Sequence, residues 1–294
     1  MEKFEISKKE CIIVVTFMIA FLKRGGDQMK FHVGNYILKE IDGTIIAQSP
    51  MFLQFEGIEH LFTTRIIKDD EAKKELGELD MSVKNDEFPK HFEFLTKCVN
   101  ISPQRCVFSH QVHSKNIKVV TSEDIGEPYW ERKLREVDGL ITNERGLFLV
   151  TTYADCMPIL AYDPNNEVIG VAHSGWRGTL IEIAKELILK MNEEFNSSPQ
   201  DIFVTVGPSI GPDSFEVGED VAEKFFLKFG REVIKEFGSK VHVDLWKAVE
   251  LTLKSVGVEH IEFSMIDTYK HTEYFYSYRK ENTKKRFAAI IGLK

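Results

Sequence analysis

Three side chains within residues 147–178, LFLVTTYADCMPILAYDPNNEVIGVAHSGWRG, have reactive chemistry: the thiol of Cys156, the imidazole of His173 and the guanidinium of Arg177. A cysteine with a histidine supports two kinds of site. Without a metal, the imidazole takes the thiol proton and leaves a nucleophilic thiolate, as in a thiol hydrolase. As metal ligands, thiolate and imidazole suit zinc or copper better than magnesium or calcium, which prefer oxygen. Asp155, beside Cys156, is the nearest carboxylate in sequence and a candidate acid or base, although adjacent strand residues point to opposite faces. Arg177 offers a fork that matches phosphate oxygens.

The surrounding pattern predicts how these groups meet. Residues 147–153 and 159–162 read as buried strands, and Asp163, Pro164, Asn165 and Asn166 are turn formers leading to a third strand over 167–172. That pairing brings Cys156 and His173 to the same end of a sheet. Thr179 with Glu182 fits a capping box, and Leu180, Ile183, Ala184, Leu187, Ile188 and Met191 follow at helical spacing. A helix is therefore predicted to start just after Gly178, with its first amides facing the Cys156 and His173 end, where they favour an anion.

Other blocks occur in a fixed order around this stretch: QVHS at 111–114, VDGLIT at 137–142, VGPSIGPDSFEVGEDV at 206–221, VDLWKAV at 243–249 and FYSYR at 275–279. With TTYADCMPIL and AHSGWRG, they resemble the signature of the YfiH-type laccase-domain family, formerly called multicopper polyphenol oxidases, from about Phe55 to the end of the chain. The resemblance implies an α+β fold, a single unit over 29–294 with central mixed β-sheets flanked by helices. It implies His113, Cys156 and His173 as metal ligands for zinc, with copper as the other candidate. It also implies purine nucleosides and phosphate as substrates, through phosphorolysis of adenosine, inosine, guanosine and methylthioadenosine and deamination of adenosine to inosine. Arg65, in HLFTTR, matches the family's arginine near the substrate pocket, and Arg65 and Arg177 are the candidates for holding phosphate.

Residues three apart on a strand point to opposite faces, so His110 and His113 cannot both reach one metal without a bend. Only His113 matches the family ligand. Three protein ligands leave a fourth position open, and an open zinc position lowers the pKa of its water to roughly 7. The resulting hydroxide can attack C6 of adenine when an acid or base manages the protons. A structural zinc normally has four protein ligands, which fits less well. Asp138 and Gly139 either shape the strand entrance or Asp138 accepts a bond from a ligand histidine. Glu216 is a candidate structural anchor in the loop rich in glycine and proline. The nine histidines include no H-x-H pair, which argues against a multicopper cluster, although a single copper in the same set remains an alternative as a weak phenol oxidoreductase.

The sequence departs from the family pattern in three places. Residues 66–79 are charged and helical in pattern where the family has a glycine-rich loop, Asp267 stands where cysteine is common, and Lys285 replaces a common glycine. Elsewhere, 31–46 predicts two strands around Asp42 and Gly43, 88–99 a helix, 105–112 and 202–206 strands, 245–256 a helix, and 274–278 with 287–292 a closing pair of strands.

A chain of 294 residues buries a core without disulfides, and a formal charge of −8 argues against a general nucleic-acid or membrane surface. Cysteines at 11, 98, 106 and 156 lack scaffold spacing and read as reduced thiols in a cytoplasm, with Cys98 and Cys106 as ordinary buried residues. The apolar run 11–22 is too short to span a bilayer, and residues 1–28 read as an extension or an early start before Met29. Nothing in the pattern indicates an oligomeric state.

Overall fold

The computed structural model describes residues 30–294, so the apolar run 11–22 and the extension expected over 1–28 lie outside the described residues. In chain order come strands β1 (Lys30–Val33), β2 (Tyr36–Ile41), β3 (Thr44–Gln48) and β4 (Ile58–Ile67), then helices α1 (Asp70–Leu76) and α2 (Phe88–Cys98). Strands β5 (Cys106–Phe108), β6 (Ile117–Val119), β7 (Gly139–Thr142), β8 (Phe148–Tyr153), β9 (Met157–Asp163) and β10 (Val168–Ser174) precede helices α3 (Trp176–Leu180) and α4 (Ile183–Phe195). The chain continues through β11 (Phe203–Val206), β12 (Glu216–Val217), α5 (Glu219–Phe229), β13 (Ile234–Phe237) and β14 (Lys240–Val243). Helix α6 (Leu245–Ser255), β15 (His260–Phe263), α7 (Tyr278–Glu281) and β16 (Phe287–Leu293) complete it.

The strands form a seven-stranded sheet in the order β1-β2-β3-β4-β16-β8-β5, a six-stranded sheet β15-β11-β9-β10-β7-β6, and a small sheet β12-β14-β13. The two large sheets are mixed, because β5 runs parallel to β8, β6 to β7 and β11 to β15. Side chains alternate across each strand and sort into three cores. Tyr36, Phe62, Leu149, Tyr153, Phe287, Ile169 and Val171 fill the space between the large sheets. Leu61, Val150 and Ile290, on the opposite face of the seven-stranded sheet, pack on Phe88, Phe92 and Leu95 of α2. Val168, Ala172 and Val204 pack on α4 and α6 through Leu187, Ile188, Ala248 and Leu253. The α+β unit expected from the sequence is thus layered helix, sheet, sheet, helix.

The central hairpin forms as its turn residues require. Asp163 Oδ1 accepts from the amides of Asn165 and Asn166, and β10 returns along β9 with His173 opposite Pro158 and Ser174 opposite Met157. Cys156, one residue before β9, therefore meets His173 at the sheet end. Asp42 and Gly43 both take positive φ, 38° and 97°, in the turn joining β2 to β3, and α1, α2 and α6 fall within the predicted helical stretches.

Four expectations require correction. Residues 31–46 make three strands instead of two, because Gly34 at φ 55° turns the chain between β1 and β2. The expected capping box of Thr179 and Glu182 does not form: the helix already begins at Trp176, Thr179 Oγ1 donates to the Gly175 carbonyl, and Glu182 sits in the left-handed region before α4. The strand expected over 105–112 stops at Phe108, and the loop beyond it supplies His113. Residues 274–278 form no strand. Their place beside β16 is taken by β4 and β8, while Phe275 and Tyr276 are buried and Ser277 caps α7 by accepting from Lys280 N.

Candidate metal centre and its cavity

His113, Cys156 and His173 converge, with ligand atoms all within 4.8 Å of one another. Three different pieces of chain place them: the loop after β5, the bend between β8 and β9, and the C-terminal end of β10, away from the hairpin turn. His173 alternates with Ala172 and so shares the inter-sheet side with Val171, where its ring lies 5.5 Å from that of Tyr153. His113 takes φ 64°, which lets the loop double back and bring its ring 4.8 Å from that of His173. His110 is not in the cluster, as expected.

Asp138 fixes both histidines. Its Oδ1 accepts from His173 Nδ1 at 2.9 Å and from His113 N at 3.0 Å, and its Oδ2 accepts from the amides of Val112 and Ser114 and from Ser114 Oγ. This is the second of the two roles read for Asp138, with Nε2 of His173 left to face Cys156. Burial opposes the charge on Asp138, but the His173 bond and the Val112 and Ser114 amides outweigh it and hold the carboxyl at about 2.

The donor set fits a thiophilic divalent ion. His113 Nδ1 is buried with no hydrogen-bond partner, so its lone pair is unspent. A Cβ built on Gly175 would fall 2.9 Å from that nitrogen and 3.0 Å from Cys156 Sγ, so both donors close on the space that only a glycine leaves free. Burial and the neighbouring His173 charge lower the His113 pKa, which keeps it neutral and able to ligate. Burial alone would also lower His173, yet the charges of Cys156 and Asp138 raise it to about 9, so the site favours positive charge at that ring. One thiolate and two imidazoles suit zinc or copper.

The cluster opens into a cavity of about 1050 Å³. Asp155 and Cys156 both line it, since β8 ends at Tyr153 and strand alternation no longer applies to the bend, where Asp155 takes φ 78°. Asp155 Oδ1 accepts from Thr268 Oγ1 at 2.7 Å and Oδ2 from Arg279 N at 2.6 Å. Burial raises its pKa against those two bonds. Arg177 lines the cavity with its guanidinium 4.5 Å from the centre of the Trp176 ring. Arg65 does not. It donates to Glu78, Glu281 and the Thr272 carbonyl and lines a separate hollow, so the expectation that it borders the substrate pocket is corrected.

Sequence reasoning did not single out Arg279, whose backbone fixes Asp155 and whose side chain lines the cavity over Phe215, although it lies in the FYSYR block. Glu216 is exposed and paired with Lys240, and its carbonyl accepts from Arg279, a modest anchoring role. Asp267, one departure from the family pattern, accepts from the amides of Gly211 and Tyr269 and from Ser214 Oγ, and so pins the loop that forms one cavity wall. Lys285, another departure, lines the cavity and pairs with Glu78.

Residues 59–294 match the profile of a family described as multi-copper polyphenol oxidoreductase laccase. The chain belongs to this YfiH-type family. Curated members that resemble it include a protein named purine nucleoside phosphorylase from Bacteroides thetaiotaomicron, 37% identical over 60% of this chain and 69% of that protein. Another is purine nucleoside phosphorylase YlmD from Bacillus subtilis, 32% identical over 70% of this chain and 77% of the relative. Among solved structures, a YfiH protein from Bacillus licheniformis superposes with a TM-score of 0.78 at 25% identity, covering 89% of this chain and 100% of that one. YlmD from Geobacillus stearothermophilus gives 0.77 at 29% identity, covering 87% and 97%.

Proposed function

We propose that this chain is a zinc-dependent purine nucleoside enzyme of the cytoplasm that cleaves adenosine, inosine, guanosine and methylthioadenosine with phosphate and deaminates adenosine to inosine. The observation that carries the reading is the shared cavity, in which the His113, Cys156 and His173 cluster, the buried Asp155 carboxyl and the Arg177 guanidinium face one space. The names of the relatives support phosphorolysis. Cys98, Cys106 and Cys156 are free, which suits a reducing compartment, and no helix among the described residues is long and apolar enough to cross a membrane.

A zinc ion on the three ligands supplies Lewis-acid activation of water or of a substrate heteroatom. The chain's own residues do the rest. Trp176, Phe215 and Tyr278 give the cavity aromatic faces on which a purine can stack. Asp155, with its pKa raised by burial and its oxygens held by Thr268 and Arg279, is suited to carry a proton to or from the purine ring. Arg177 is the phosphate ligand in this reading, because it stacks on Trp176 and makes no ion pair among the described residues. Arg65, already neutralised by Glu78 and Glu281, has no such role.

A panel of purine nucleosides, with and without phosphate and followed by chromatography, tests the proposal. Adenosine should give inosine without phosphate, whereas free base should appear only with it. Arg177→Ala should slow phosphorolysis more than deamination, by about one to two decades, as expected for a charge-assisted contact of roughly 1.5–3 kcal/mol. Full zinc occupancy in Cys156→Ala would remove Cys156 from the ligand set and favour the thiol-hydrolase reading, with Cys156 as nucleophile and His173 as its base. No nucleoside turnover by zinc-loaded protein, together with robust phenol oxidation by copper-loaded protein, would favour the oxidoreductase.

A further inference from the structure

The cavity also has a charged lining that the metal centre leaves unused. Lys84, in the connection from α1 to α2, Arg132, between β6 and β7, and Lys284, before β16, all border it. None of the three has an acidic partner or another hydrogen-bonded acceptor among the described residues. Their neighbours differ: Lys285 is paired with Glu78, and the Arg286 guanidinium donates to the carbonyls of Thr283 and Lys285. The segments that carry Lys84 and Lys284 are joined, since Met81 N donates to the Arg286 carbonyl at 2.8 Å and Arg286 N to Asp80 Oδ1 at 2.9 Å. Arg132 is half-buried, and both burial and the nearby Arg135 work against its charge. Lys84, Arg132 and Arg135 also bear together on His110, whose ring is held below the usual histidine range first by burial and then by these charges.

Unpaired cations gathered at a cavity wall repel one another, and a half-buried guanidinium without a partner is costly to keep. In a chain of net charge −8 they do not follow from general composition. An anion placed among them relieves the repulsion. The cavity, about 1050 Å³, is at the upper end of the roughly 300–1,000 Å³ usual for ligand pockets and leaves room for a ligand larger than a nucleoside.

We propose that the cavity takes a phosphorylated purine nucleoside, with its base and ribose toward the metal centre and its 5′-phosphate groups among Lys84, Arg132 and Lys284. The purine half of this inference rests on the function proposed above. The phosphate half rests on the three cations alone.

Calorimetric titration of the zinc-loaded full chain with adenosine, adenosine 5′-monophosphate, adenosine 5′-diphosphate, ribose 5-phosphate and inorganic phosphate, at one ionic strength, separates the possibilities. The two nucleotides should bind at least about tenfold more tightly than adenosine. The Lys84→Gln/Arg132→Gln double variant should abolish that ratio with its melting temperature and zinc content unchanged, and Lys284→Gln, on another loop, should reduce it. Equal binding of adenosine and its phosphates by the parent overturns the inference, as does a nucleotide advantage that persists in the variants. Binding of inorganic phosphate or ribose 5-phosphate as tightly as the nucleotides overturns the nucleotide assignment. If nucleosides are turned over but phosphates add no affinity, only this inference fails. If no nucleoside is turned over but nucleotides bind through these charges, the proposed function fails and this inference stands.

Discussion

Asp138 shows how much of the site is settled by one side chain that touches no substrate. Its carboxylate spends one oxygen on the His173 ring and the His113 amide and the other on Val112, Ser114 and the Ser114 hydroxyl, so the ligand loop and the strand ligand are positioned together. Partners of this kind typically contribute 10–100-fold to metal affinity. Asp138→Asn should therefore lower zinc affinity by about that factor, because an amide is uncharged and can present its nitrogen to donors that need an acceptor. Competition with a metal-binding dye measures it, and affinity within about twofold of the parent would remove Asp138 from this role. The triad itself was legible because its members fall in recognisable blocks and are metal-ligand types, while Arg279, although inside such a block, and Lys84, outside any, were not: a lone cation carries no chemistry until the fold shows what it faces. Arg65 was misplaced for the complementary reason, since its partners Glu78 and Glu281 lie 13 and 216 residues away.

Elements were legible where their stabilisation is local. The β9 and β10 hairpin carries its turn in Asp163 to Asn166, and α6 carries its cap in Asp244, whose side chain accepts from Lys247 N. The expected strand over 274–278 failed because aromatic, apolar residues suit a buried loop as well as a strand, and the pairing partner of β16 is set by long-range register. Strand β4 brings a consequence of its own. His60 is buried, its Nε2 accepts from Ser49 N at 2.9 Å, and burial drives its pKa down to about 3. Such a ring stays neutral in the fold, whereas the unfolded chain takes up a proton below its ordinary pKa of about 6.5. The stability from keeping it neutral is complete above that value and declines as pH falls toward 3, by at most roughly 5 kcal/mol. His60→Gln keeps an acceptor for Ser49 but cannot titrate. It should flatten the fall in stability between pH 6.5 and 4, and denaturant curves for parent and variant that stay parallel across this range would exclude His60 as its source.

At the scale of the molecule, the two large sheets meet through the core of Phe62, Leu149, Tyr153, Phe287 and Val171, and the ligand cluster closes one end of that sandwich. No period in the sequence announces this arrangement, because the pairing of β16 with β4 and β8 and the parallel pairing of β11 with β15 join segments far apart in the chain. His113 follows a strand of the seven-stranded sheet, His173 ends a strand of the six-stranded sheet, and Cys156 lies in the bend that crosses from one to the other. A metal ion on these ligands would thus tie the sheets together, and because the unfolded chain does not assemble the site, its binding would stabilise the fold. At a thousandfold excess of free zinc over Kd the gain is about 4 kcal/mol. At about 2.1 cal/mol/K of unfolding entropy per residue, each kcal/mol moves the melting temperature of a chain this long by roughly 1.5–2 °C, so zinc should raise it by roughly 6–8 °C relative to protein stripped with a chelator. His113→Ala and Cys156→Ala should lose most of that rise, since removing either ligand leaves two donors. Calorimetric melts of the three proteins with and without zinc measure the difference. Parent protein that melts at the same temperature in chelator and in zinc would show that the cluster neither holds the ion nor joins the sheets through it.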